Sequence, residues 1–131
     1  MYTDATSRRA NKSARSARVE VVDNWHSRWQ QVLAWIATNG QLEALLIDSD
    51  GWLSARQVLL VAFSRGEVAG HLCFRLAPCA GPDGKARVEA RVDAFAVAPG
   101  AQSAQVASAL KTAALKRCKN LRCLRLVEMN A

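Results

Sequence analysis

The 131-residue sequence predicts a single α/β (α+β) domain with a mixed sheet and elements in the order β-α-(α)-β-β-β-α-β. Three observations predict it. An alternating hairpin occupies 57–76. A long alternating run at 87–97 is broken by Pro99-Gly100. A strongly helical stretch at 102–119 leads at once into another β-rich run. Strand, helix, strand in that last position implies two parallel strands joined by a right-handed crossover.

Taken in chain order, residues 1–17 are rich in Ser, Arg, Ala and Asn, have no hydrophobic period, and are expected to form a flexible basic arm ahead of one domain at 18–131. Arg18 to Val22 (RVEVV) alternates and is β-branched, so it is expected to be the first strand. Asp23 and Asn24 offer helix caps, and Trp25, Trp29, Val32, Leu33 and Ile36 fall at helical spacing before Gly40, which predicts a helix from Trp25 whose Trp pair packs in the core. Gln41 to Ile47 suits a second short helix, and Asp48 to Gly51 a turn.

The hairpin strands are Gln57 to Ser64 and Glu67 to Leu76, joined by Arg65-Gly66. In the second strand Val68, Gly70, Leu72, Phe74 and Leu76 share one face, and Ala69, His71, Cys73 and Arg75 the other; Gly70 in mid-strand points to a bulge or a close neighbour. His71 is expected to be a satisfied structural residue. Residues 77–85 (APCAGPDGK) form a Pro/Gly loop. In the strand Arg87 to Val97, strict alternation puts Val88, Ala90, Val92, Ala94 and Ala96 on one side and Arg87, Glu89, Arg91, Asp93, Phe95 and Val97 on the other. The helix buries Val106, Ala107, Leu110, Ala113, Ala114 and Cys118, and Leu121 to Met129 makes the last strand.

Composition narrows the function classes. Apolar residues make up 50% and charged residues 22%, as in a folded globular chain. No apolar run is long enough to span a bilayer and no signal-like segment opens the chain, so a soluble cytoplasmic protein with no membrane role is expected. Cys73, Cys79, Cys118 and Cys123 form no CxxC pair and lie away from His26 and His71, so no metal site is expected and the thiols are read as reduced. Residues 1–18 carry five basic side chains against Asp4, and residues 111–131 six against Glu128, while 19–110 has seven basic and nine acidic. Basic ends attract polyanions, and a nucleic-acid contact through the N-terminal arm is one possibility the charge leaves open.

The hairpin segment Gly66-Glu67-Val68-Ala69-Gly70-His71, the strand end VDAFAVAP at 92–99 and the helix following from Gln102 resemble the GNAT (GCN5-related) N-acetyltransferases over about residues 18–129. The family's pyrophosphate loop has the pattern Q/R-x-x-G-x-G/A. Here Gln102, Ser103, Ala104, Gln105, Val106 and Ala107 occupy it, with Gln105 at the expected glycine. The physical logic is general, since free N–H groups at a helix start suit a pyrophosphate. The resemblance implies acetyl-CoA as cofactor, a small-molecule or protein amine as substrate, and a pantetheine arm received by the backbone of Phe95, Ala96 and Val97. It also implies a carboxylate on the fourth strand as general base, for which Glu89 and Asp93 are the candidates. Against that role, both can pair with Arg87 and Arg91 as cross-strand charges.

The family commonly has an acid tyrosine after the fifth strand, whereas the sole tyrosine here is Tyr2. The resemblance spans the first two-thirds of the family fold and omits its last helix and two strands. That would leave 121–129 as a bare sheet edge, for which a homodimer is expected as cover. The readings carried forward are an acyl-CoA-dependent N-acetyltransferase, a non-catalytic GNAT-like binding or scaffold dimer, and a basic nucleic-acid-binding protein.

Overall fold

The computed structural model describes residues 17–128. The arm assigned to 1–17 lies, Ala17 excepted, outside the described residues, as do Tyr2 and Met129. One five-stranded sheet holds β1 (Arg18–Val22), β2 (Gln57–Ser64), β3 (Glu67–Ala80), β4 (Ala86–Val97) and β5 (Leu126–Val127), side by side in chain order. The first four are antiparallel, and β5 lies parallel to β4. Helix α1 (Trp29–Asn39) covers one face and helix α2 (Ser103–Asn120) the other, as two clusters of alternate strand residues show.

β1 and β2 fall where the alternation predicts them. The turn between β2 and β3 has Arg65 at φ 54° and Gly66 at φ 78°. Two consecutive positive φ values make the mirror-image turn whose twist matches a hairpin. α2 starts one residue later than expected and buries Val106, Leu110, Ala114 and Cys118.

Other expectations need correction. The first helix begins at Trp29, not Trp25. The Asp23 carboxylate accepts from the Trp25 amide at 2.9 Å, so its capping capacity is spent on a turn. Trp25 is 78% exposed and tilts against Trp52 with ring centroids 5.5 Å apart, while Trp29 is buried and donates its indole N–H to the Gly51 carbonyl. The second short helix contracts to a single 3₁₀ turn, Leu42–Ala44. β3 continues through Pro78 to Ala80, leaving only 81–85 as loop. Proline is tolerated because β2 ends its pairing at Gln57↔Arg75, so the position where Pro78 lacks an N–H faces no neighbouring strand. β5 is two residues long rather than nine; Arg122 at φ 58° turns the chain first.

Strict alternation also fails twice, each time at a bulge. Ala62 pairs with Gly70 but Phe63 with Val68, so Ala69 is extra. Val68 therefore joins the α1-side cluster, and Leu72 and Phe74 the α2-side cluster. Cys73 pairs with Ala94 but Phe74 with Val92, so Asp93 is extra. Ala94 consequently faces α1, while Phe95 and Val97 pack with Ala90 and Val92 on the α2 side.

Candidate active site

β4 ends at Val97, and the Ala98 amide donates to the Ala69 carbonyl at 2.8 Å, which pins the turn against β3. Gly100, at φ 144°, lets the chain reverse into α2. The helix makes its first full-turn bond from the Val106 amide to the Gln102 carbonyl at 3.0 Å. Gln102 is the N-cap residue but provides no side-chain cap, and the first turn holds no acidic residue. Among the described residues, the amides of Ala104 and Gln105 meet no acceptor. They are the orphan donors of a helix start, carrying its positive end. A cavity of about 260 Å³ lies beside this turn, with Gly100, Gln102 and Ser103 on one wall and Ser64, Glu67 and Ala69 on the other.

Within the six-residue match the roles divide. Ser103 bonds weakly back to the Gly100 carbonyl, at 3.2 Å. The Gln105 side chain is exposed. Val106 is a packing residue, buried over β3 with its amide already used. Ala107 lies one position further into the helix. Gly70 explains how close α2 comes. A Cβ there would meet the Ala96 carbonyl oxygen at 2.9 Å and methyl groups of Leu110 and Val106 at 3.2 Å each.

The second component is a gap. Among the described residues β4 and β5 pair at Ala90↔Leu126 and Arg91↔Val127, preceded by bonds from the Leu124 amide to the Val88 carbonyl and from the Ala90 amide to the Arg125 carbonyl. Val92 to Val97 continue with no β5 partner among the described residues. Leu72, Val92, Phe95, Lys111, Leu126 and Glu128 enclose about 160 Å³ where the strands part. The Asp93 bulge turns Phe95 toward this space, and Lys111 lies over its ring, 5.5 Å from the centroid. Open amides at a helix start beside a strand edge with unspent backbone groups fit an acyl-CoA, which needs an anion site for the pyrophosphate and amide partners for the pantetheine.

The two carboxylates of β4 occupy different settings. Glu89 is 1% exposed; Oε1 accepts from Arg91 Nε at 2.8 Å and Oε2 from Arg125 Nε at 2.7 Å. The two arginine side chains themselves form that cover, so the carboxylate sits among cations rather than in the apolar core. The hydrogen bond from Arg91, then that from Arg125, holds its pKa below the ordinary carboxylate value. Glu89 thus ties β4 to the segment entering β5, at the closed end of the gap. Asp93 is the bulged residue itself. Oδ2 accepts from Gln57 Nε2 at 3.0 Å and Oδ1 faces Arg75 Nε at 3.1 Å. Gln57 is buried and also bonds the Ala44 carbonyl and the Leu46 amide, so Asp93 is anchored to the loop after α1. Neither carboxylate is paired in the expected way with Arg87, which bonds Asp83 instead. Gln57, Arg75, Lys111 and Arg125 were not singled out by the sequence reading. Only the register of the folded sheet brings them here.

His71 is fully buried on the α1 side, its ring edge-on to Trp35 at 5.9 Å. Neither ring nitrogen has a hydrogen-bond partner among the described residues, so it is structural but not satisfied. Burial lowers its pKa to about 4.

A mixed sheet whose last two parallel strands part beside an uncapped helix start defines the GNAT class of acetyltransferase folds. The sequence profile of the Acetyltransferase (GNAT) family matches residues 18–131, and the chain belongs to that family. Solved structures share the fold. A ribosomal-protein-alanine N-acetyltransferase from Brucella melitensis biovar Abortus superposes with a TM-score of 0.64 at 15% identity, covering 88% of this chain and 81% of that one. A GNAT family acetyltransferase from Staphylococcus aureus gives 0.61 at 11%, covering 88% and 87%. The aminoglycoside N-acetyltransferase AAC(6')-Iy, solved in complex with CoA, gives 0.59 at 13%, covering 87% and 79%. These shares of the related chains exceed the two-thirds that the resemblance implied. No curated protein sequence matches the chain. Among the described residues no helix is long and apolar enough to cross a membrane, and no cluster of His, Cys, Asp or Glu could hold a metal ion.

Proposed function

We propose that the chain transfers an acetyl group from acetyl-CoA to a primary amine. The observation that carries this reading is the uncapped start of α2, with open amides at Ala104 and Gln105, following a β4 whose residues 92–97 have no β5 partner among the described residues. Ala104 and Gln105 would hold the pyrophosphate, with Gln102 and Ser103 shaping the turn. The free edge of β4 at Phe95, Ala96 and Val97 would take the pantetheine arm. Bound there, acetyl-CoA supplies an activated thioester.

The chain's own task is then to deliver a neutral amine. Asp93 is the better placed carboxylate for that. It sits on the bulge and uses two of roughly four lone-pair sites on Gln57 and Arg75, leaving the others for an ammonium proton or a water that relays it. Glu89 has both oxygens committed to guanidinium groups and acts as a strut. The departing thiolate needs little acid help because free thiols ionise near pH 8.5.

Isothermal titration of the full chain with acetyl-CoA tests the reading, with saturable binding expected. Heat no greater than dilution at millimolar cofactor would remove it. A non-catalytic binding module is favoured by one specific feature, the ion pairing of both carboxylates. It gains if acetyl-CoA binds yet a panel of amines, including polyamines and peptide N-termini, yields no free thiol. The outer edge of β5 is the surface on which a second copy would add, and light scattering of the full chain reads that directly.

A further inference from the structure

Away from the β4–β5 gap, the edge of the sheet at β1 carries a cavity of about 480 Å³ between the β2–β3 turn and the start of α1. Arg18, Arg28 and Arg65 line it, with Glu20 as the one carboxylate, so the arginines and glutamate leave two uncompensated positive charges. Arg18 meets Glu20 at 3.3 Å, but among the described residues Arg28 and Arg65 have no acidic partner.

Arg28 is not a loose surface side chain. One of its nitrogens donates to the Gly66 carbonyl at 2.7 Å, and its guanidinium lies over the Phe63 ring, 5.1 Å from the centroid. The opposing wall is equally fixed. His26 stacks on Phe63 at 6.0 Å and 8°, accepts from the Arg28 amide at Nδ1 and contacts Glu20 through Nε2. Arg65 holds a left-handed backbone at φ 54°, where glycine or asparagine would cost less. Like charges held around a void repel unless an anion joins them. Arginine in pairs is suited to phosphate because its planar fork bonds two oxygens at once.

We propose that Arg18, Arg28 and Arg65 form a binding site for a phosphate group, a dianion that matches the two uncompensated charges. The volume is that of a small-molecule pocket and exceeds one phosphate, so the natural ligand is a phosphorylated small molecule with room for a further moiety. This site does not depend on the acetyl-CoA reading.

The test is a ¹H–¹⁵N titration of the full-length chain with inorganic phosphate at low ionic strength. Saturable shifts are expected at the amides of Arg28, Arg65 and Gly66. Arg65→Gly relieves the left-handed strain, so it should keep its melting temperature while weakening phosphate by about tenfold, the scale of one lost charged hydrogen bond. Lys116→Gln, on α2, should leave the affinity unchanged. Shifts confined to Ser103–Gln105, shifts that never saturate, or an unaltered affinity in Arg65→Gly would each overturn the proposal. Once phosphate saturates at these amides, acetyl-CoA and its 3′-dephospho form separate the two sources. A difference at Arg65 and Gly66 assigns the site to the cofactor's own 3′-phosphate, and identical shifts assign it to a separate phosphorylated ligand.

Discussion

His71 should make the protein acid-sensitive in a window set by one ring. The imidazole is fully buried among Trp35 and Gly40, where even a Cβ on the glycine would lie 2.5 Å from Nε2. Desolvation lowers its pKa from 6.5 to about 4. Between those values the unfolded chain binds a proton that the folded chain refuses, so stability rises with pH across the window. It is fully present above 6.5 and is lost as pH falls toward 4. At roughly 1.4 kcal/mol per pH unit the whole window is worth about 3 kcal/mol, and about a third to a half of it has gone by pH 5.5. His71→Leu removes the proton site. It also removes a ring N–H that has no acceptor in either tautomer, so at pH 7.5 the variant should be as stable as the parent or more so. Urea unfolding followed by tryptophan fluorescence at pH 7.5, 5.5 and 4.5 measures both effects. Whatever Glu89 loses is common to both proteins, so only the difference between the two curves matters. If parent and His71→Leu lose stability in parallel between pH 7.5 and 4.5, the ring is not buried as described.

Three further outcomes are expected. In Gly70→Ala the new Cβ meets the Ala96 carbonyl of β4 and pushes against Val106 and Leu110 of α2, which should cost about 1–3 kcal/mol in urea unfolding and weaken acetyl-CoA in calorimetry. Asp93→Asn keeps an acceptor for Gln57 but not the base, so turnover should fall by roughly 10²–10⁴ with acetyl-CoA affinity retained; Glu89→Gln should instead lower the melting temperature and weaken acetyl-CoA by loosening β5. Burial holds the Cys73 thiol up to about 12, aided by the Asp93 charge, and the Cys118 thiol up to about 11, so a disulfide reagent at pH 8 should label Cys79 well before either.

How much of this could be read beforehand depended on whether local chemistry decided the outcome. The β2–β3 hairpin was legible because Arg65-Gly66 sits between two alternating runs and the turn needs nothing from elsewhere. α2 was legible because its stripe repeats over five turns' worth of small and apolar residues. The start of α1 was not, since Asp23 satisfies a nearer amide and Trp25 finds the sequence-distant Trp52 in a fold-dependent contact. β5 was overread for a related reason. Leu121 to Met129 has strand composition, but α2 runs to Asn120 and Arg122 must then turn left-handed, so among the described residues regular strand pairing with β4 is confined to Leu126 and Val127.

The site itself turns on a break in rhythm that the sequence does contain. Apolar side chains larger than alanine in β4 fall at 88 and 92, then at 95 and 97. Read as strict alternation, Asp93, Phe95 and Val97 share a face and the strand is merely amphipathic. Read as a change of phase, one residue must be extra, and only a bulge supplies it. That single inserted residue is Asp93. Below it, Glu89 clamps β4 to the chain entering β5; above it, Phe95 and Val97 swing to the α2 face and have no β5 partner among the described residues. The change of face, the acidic group on the bulge and the apolar wall under Lys111 are therefore one structural event. Deleting Asp93 keeps the Cys73↔Ala94 and Phe74↔Val92 pairs and leaves Phe95 and Val97 on the α2 face, but removes the local bend of the bulge together with its carboxylate, so it should weaken acetyl-CoA binding where Asp93→Asn does not. A deletion variant that folds and still binds acetyl-CoA with parental affinity would show that the bulge is incidental to the site.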